Sequence, residues 1–145
     1  MHSTIASSGI AHQLGVVVES SAGAAVHRAA QAEAGTRVEL FGLLRDFGAS
    51  RDSAGRPHAN LSALALEGSL YDGWSASIKL LHPELVEATR EQSKPLSVWV
   101  ADTEAELRRA WTLKAESVIS NRPRWAQQLM AAWLTQCNAG EVQSV

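Results

Sequence analysis

The sequence predicts a mainly β domain with helices attached, a small five-stranded barrel, and three observations carry that expectation. Residues 61–82 read as a β-hairpin, residues 37–47 as a long strand with a glycine at its centre, and residues 96–101 as a further alternating strand. We assign residues 1–36 to an N-terminal extension holding a short strand or helix, 37–119 to the barrel, and 120–145 to a C-terminal helix and tail.

The totals bound the rest. A chain of 145 residues with 46% apolar and 19% charged residues can bury a core of its own as one globular domain. A net charge of −2 provides no global basic field, so a nucleic-acid or membrane site would have to be local. The lone Cys137 excludes an intrachain disulfide and fits a reducing compartment, and no stretch is apolar enough to span a bilayer. Cytoplasm is the expected location.

In chain order, residues 14–19 (LGVVVE) are β-rich but short, and Ser21 can cap an Ala-rich helix over 22–34 that Gly35 would end. Along 37–47, Val38, Leu40 and Leu44 share one face and Phe41, Leu43 and Phe47 the other. Gly42 lies between them, where glycine permits a sharp bend and lets one strand serve two sheet layers. Residues 48–60 form a polar loop carrying Arg51 and Arg56. In the hairpin, Leu64, Leu66 and Leu70 alternate with Ala65, Glu67 and Ser69, and Trp74, Ala76, Ile78 and Leu80 with Ser75, Ser77 and Lys79. A turn at Tyr71-Asp72-Gly73 pairs Leu70 with Trp74 and Leu66 with Ile78, which puts every leucine on one face; a slip of one residue would reverse that.

Pro83 starts a short acidic helix with Glu84, Glu87 and Glu91, which Lys94-Pro95 breaks. In 96–101 (LSVWVA), Leu96, Val98 and Val100 oppose Trp99. Residues 103–119 fit a helix stripe (Leu107, Trp111, Ala115, Val118, Ile119) nearly as well as a strand alternation (Trp111, Leu113, Ala115, Ile119), and local pattern does not decide. Over 121–137, Asn121 can cap, Pro123 follows, and Trp125, Leu129, Trp133 and Cys137 recur every four residues, with Asn138-Ala139-Gly140 ending the helix.

This order of elements matches an OB-fold, a five-stranded Greek-key barrel. The run Val38-x-Leu40-x-Gly42-x-Leu44, Asp46, Arg51, Gly55-Arg56-Pro57-His58 and Ala59-Asn60-Leu61-Ser62 resembles the bacterial single-stranded-DNA-binding protein family and its relative, primosomal replication protein B. Trp74 stands where those families place a tryptophan, and residues 111–118 (WTLKAESV) resemble their last strand, which turns the ambiguous segment toward β. The segment Asp102–Glu106 is short and acidic where family members present basic residues.

The resemblance implies binding of single-stranded DNA, and possibly RNA, in replication, repair or plasmid and phage DNA handling. It also implies a homo-oligomer and a replication or mobile-element protein partner. Trp74 would stack bases, unless it packs against Leu70 as core; Lys79, Arg51, Arg56 and Lys114 would meet phosphates, with Trp99 and Trp111 as further aromatic surfaces. The competing reading is a protein–protein adaptor that displays the Trp125/Trp133 helix and the acidic segments. Histidines 2, 12, 27, 58 and 82 are scattered, and no phosphate-cradling glycine loop or nucleophile elbow occurs. No metal or other cofactor, no membrane partner and no enzymatic activity are therefore expected.

Overall fold

A computed structural model describes residues 17–20 and 39–142; the helix expected over 22–34 lies outside them. The elements are β1 (Val17–Ser20), β2 (Glu39–Leu44), a two-stranded ribbon of β3 (Ser50–Arg51) and β4 (Pro57–His58), α1 (Leu61–Glu67), β5 (Gly73–Ser77), α2 (Pro83–Glu91), β6 (Leu96–Trp99), α3 (Glu104–Thr112), β7 (Ser117–Val118) and α4 (Pro123–Val142). Short 3₁₀ turns at Gly68–Leu70 and Ile78–Leu80 precede and follow β5.

Five strands form one sheet in the order β1-β2-β5-β6-β7, and every pair in it is parallel. Each new strand adds at the same edge. With right-handed crossovers this places the connecting helices on a single face, the pattern of a (β/α) barrel. One core cluster joins Leu64 of α1, Leu85 and Val86 of α2 and Ala110 of α3 to Trp74, Ala76, Ile78, Leu96 and Val98 of the sheet region. The fold is α/β and TIM-barrel-like, and it replaces the mainly β Greek-key barrel that the sequence suggested.

The hairpin expectation fails in its first arm. Asn60 Oδ1 accepts from Ala63 N–H at 3.0 Å and starts a helix, and Leu64 and Gly68, four apart, are buried while Leu66 is exposed. The Ala-Asn-x-Ser run is thus a helix start. Asp72 makes no hairpin turn. Its N–H donates to Leu40 O at 2.7 Å and its Oδ2 accepts from Leu40 N–H at 2.8 Å, which joins the approach to β5 to β2. Gly73 is a strand residue; a Cβ there would stand 2.5 Å from Phe41 Cζ.

Gly42 is no bend either. It lies within β2, in register with Ser20 on one side and Trp74 on the other. Residues 104–112 are helical because Thr103 and Glu106 form a capping box, with Leu107 and Ala110 on the buried stripe. Only Ser117–Val118 forms a strand there, parallel to β6. The acidic helix appears as α2 and the strand expected at 96–101 as β6. The last helix appears as well, running on through Gly140 to Val142 with Cys137 exposed rather than packed. Trp133 is buried with Ala101, Leu107 and Ala126, and Trp125 packs against that cluster half-buried.

Alternation divides the sheet by chemistry. The helix-covered face carries Leu40, Leu44, Trp74, Ala76, Leu96, Val98 and Val118. The opposite face carries Phe41, Leu43, Ser77, Trp99 and a row of serines in register, Ser75–Ser97–Ser117. Among the described residues no helix is long and apolar enough to cross a membrane.

Candidate functional site

In parallel α/β sheets, ligands collect where the carboxyl ends of the strands meet their loops. Three neighbouring strands converge here. β2 runs into Arg45, Asp46 and Phe47; β5 runs into a 3₁₀ turn carrying Lys79; β6 ends at Trp99. Lys79 Nζ lies 3.3 Å from Asp46 Oδ2. A hydrogen bond from the Ser77 side chain, supplemented by Lys79, holds the Asp46 carboxyl below its ordinary range, so Asp46 faces Lys79 as a carboxylate at neutral pH.

Leu43, Arg45, Asp46, Phe47 and Trp99 line a pocket of about 440 Å³. The indole Nε1–H of Trp99 is buried and has no hydrogen-bond acceptor among the described residues. A buried donor left unpaired costs roughly 1–3 kcal/mol, so such groups are rare away from functional positions. The rim therefore offers an ammonium beside one carboxylate, with the Trp99 indole in the pocket wall. This arrangement suits an oxyanion. Among the described residues no group of three or more His, Cys, Asp or Glu side chains is placed to hold a metal ion.

A second cluster fixes the ribbon that follows β2. Asp52 accepts from the Arg56 and Ala54 backbone N–H groups at 2.8 and 2.9 Å and from Arg56 Nε at 2.9 Å, with His58 Nε2 at 3.3 Å. These bonds, the Arg56 backbone one foremost, hold its carboxyl well below the usual range. His58 stacks on His82 with ring centroids 4.8 Å apart. Arginine can only donate, so the Arg109 Nη2 contact at 2.9 Å makes His82 Nδ1 an acceptor and leaves Nε2–H to donate to Pro57 O at 3.1 Å. Arg109 also donates to Leu81 O. These contacts tie the ribbon to the turn before α2 and to α3.

The residues proposed from the sequence separate accordingly. Lys79 and Trp99 reach the same rim. Trp74 does not: it is 2% exposed on the helix-covered face, with Nε1–H donating to Gln92 Oε1 at 2.9 Å, so no ring face is free for a base. Arg51 donates to Gly55 O at 2.7 Å within its own ribbon, and Arg56 pairs with Asp52. Trp111 meets Trp133 edge-on at 6.0 Å in the α3–α4 packing. Lys114 sits after α3, at the amino end of the sheet, opposite the rim. Missing from the sequence reading were the roles of Arg45, Asp46 and Phe47. The signal that could have found them is charged and aromatic residues directly after a buried strand.

No family model and no curated protein matches the sequence. A solved structure does. The fold is similar to part of the crystal structure of a proposed glycerophosphoryl diester phosphodiesterase from Silicibacter pomeroyi DSS-3. The TM-score is 0.60 at 16% identity, with 81% of this chain and 38% of that chain covered. The chain thus spans well under half the length of that protein. This likeness, with the wholly parallel sheet, overturns the resemblance to single-stranded-DNA-binding proteins. With it go the expected DNA or RNA ligand, the homo-oligomer and the replication or mobile-element partner. Nor does it support the adaptor reading.

Proposed function

We propose that the carboxyl rim of the sheet binds a phosphate ester, with Lys79 facing the phosphoryl oxygens and Trp99 Nε1 donating to an oxygen of the same group. The observation that carries this reading is the Lys79–Asp46 ion pair at the wall of a pocket that Trp99 also lines, the buried Trp99 Nε1–H having no partner among the described residues. The phosphodiesterase description of the structural neighbour supports a phosphate ester over other oxyanions. Asp46 orients the Lys79 ammonium and would give way to the more highly charged phosphate. Binding is what these residues account for; hydrolysis is a separate question for the assay.

The test is titration of the protein with glycerol 3-phosphate and with glycerophosphocholine, followed by tryptophan emission at low salt, with alcohol release from the diester measured in parallel. Saturable binding is expected, and Lys79→Gln should weaken it about tenfold, since a charged hydrogen bond contributes roughly 1.5–3 kcal/mol. Absence of binding, or an unchanged affinity in Lys79→Gln, would overturn the reading.

A further inference from the structure

The charged end of the rim accounts for a phosphoryl group but not for Phe47. This side chain is 94% exposed, the most exposed of the large apolar side chains described. It is not a loose appendage. Ala49 N–H donates to Asp46 O at 3.2 Å across a four-residue turn, and Gly48, the third residue, has φ +76°. Phe47 itself has no positive φ, so the turn is of the type II kind, in which glycine at the third position is the natural choice. One turn thus does two things: it presents Asp46 to Lys79 and extends the Phe47 ring beside the pocket.

The pocket is divided in the same way. Leu43, Phe47 and the Trp99 ring supply apolar wall, while Arg45 and Asp46 supply charge. A ligand consisting of phosphate and a small polyol would leave Phe47 in water. A ligand with an apolar chain next to its phosphate would cover the ring while placing its oxygens near Trp99 Nε1 and Lys79.

Building on the phosphate-ester reading, we infer that the site takes an amphiphile, the phosphate ester of an alcohol with a single long apolar chain, and that Phe47 determines this preference. The chain lies along Leu43, Phe47 and the Trp99 ring. Such an ester can arrive as a free monomer or from a bilayer.

The experiment compares glycerol 3-phosphate, dodecyl phosphate below its micelle-forming concentration, and dodecanol, on the wild-type chain and on Phe47→Ser and Lys79→Gln. Dodecyl phosphate should bind at least about tenfold more tightly than glycerol 3-phosphate, a margin of about 1.4 kcal/mol. Phe47→Ser, a substitution at an exposed side chain, should abolish that margin. Lys79→Gln should weaken both esters. Equal affinity for the two esters, or a margin that survives Phe47→Ser, overturns the inference while leaving the phosphate-ester reading intact. Binding of neither ester removes both. Dodecanol binding as tightly as dodecyl phosphate would make Phe47 part of a nonspecific apolar patch and also overturns it. Sedimentation with phosphatidylcholine vesicles distinguishes the sources. Recruitment that requires dodecyl phosphate in the vesicle shows uptake from a bilayer, and binding only in free solution shows uptake as monomer; either supports the inference. Phe47-dependent recruitment to plain vesicles, with no gain from dodecyl phosphate, would instead make Phe47 a membrane-inserting residue and overturn it.

Discussion

The indole of Trp74 fills the space that a side chain at Gly42 would need. A Cβ on Gly42 would stand 2.5 Å from Trp74 Cζ3 and 2.9 Å from Tyr71 Cδ2, closer than real Cβ contacts come. The two residues are register partners on adjacent parallel strands, so neither can move away without disturbing the sheet. Gly42→Val should therefore lower stability by about 2 kcal/mol or more, within the range for overpacking a core. Urea denaturation reads this directly. Trp74→Leu should recover part of the loss when combined with it, because sites in contact are not additive. An unchanged midpoint in Gly42→Val would contradict the packing described.

The same pair shows where sequence reasoning reaches and where it stops. The alternation of Trp74 and Ala76 is real strand alternation, and their burial on the helix-covered face follows from it, whereas Ile78 already belongs to the 3₁₀ turn after the strand. What alternation cannot reveal is the partner. Leu64, Leu66 and Leu70 also alternate, yet they lie on a helix and a 3₁₀ turn. The contrary signals were short ones: Asn60 capping, and Leu64 with Gly68 four residues on. In the same way the Thr103–Glu106 capping box, a local signal, was outweighed by the likeness of residues 111–118 to a barrel strand. Parallel pairing over long crossovers leaves no mark at a turn, so the antiparallel choice looked complete. Of the candidate site, Lys79 and Trp99 were visible as a cation and an aromatic on strands. Their convergence depends on which strand ends are neighbours, and that is tertiary information.

Trp99 yields a prediction with opposite signs for stability and binding. Trp99→Phe keeps an aromatic ring but removes a buried N–H that has no acceptor among the described residues. Replacing an unpaired buried donor with an apolar group is neutral to stabilising, so thermal stability should not fall. Affinity for glycerol 3-phosphate should drop by about 1 kcal/mol, the contribution of one hydrogen bond. A variant that binds as well as wild type would show that the donor does not face the ligand.

Asp102 predicts the acid side of the stability profile. Its carboxylate accepts from Asn121 Nδ2 at 2.7 Å, Asn121 N–H at 2.8 Å and Ser120 Oγ at 2.9 Å, joining the end of β6 to the segment after β7. These bonds, the Asn121 side chain first, hold its carboxyl below the ordinary value. A carboxyl depressed in the folded state stabilises it above the unfolded value of about 3.9, and the contribution is lost as pH falls through the lower folded value. Asp46 and Asp52 have the same sign. Asp102→Asn should be less stable at neutral pH, and the gap to wild type should close below about pH 4 in urea titrations at stepped pH. A gap that stays constant down to acid pH would rule out the carboxylate as its source.

The two tryptophans of α4 share a helical stripe, yet they should respond very differently to removal. Trp133 is 5% exposed, packed with Ala101, Leu107 and Ala126, edge-on to Trp111, and covered by the Arg108 guanidinium 4.3 Å from its ring centroid. Trp125 is half-buried at the start of the helix, and its cation, Arg122 at 4.2 Å, comes from the same short stretch of chain. Trp133→Ala removes a full core side chain and leaves a cavity between α3 and α4, which costs about 3–5 kcal/mol. Trp125→Ala opens onto solvent, loses a local cation–π contact of about 0.5–1 kcal/mol and part of one ring's burial, and should cost less than half as much. Circular dichroism melts of the two variants provide the comparison. Equal losses would mean that α4 is held along its whole length rather than by Trp133, and the packing of its amino end would have to be tighter than the half-buried Trp125 implies.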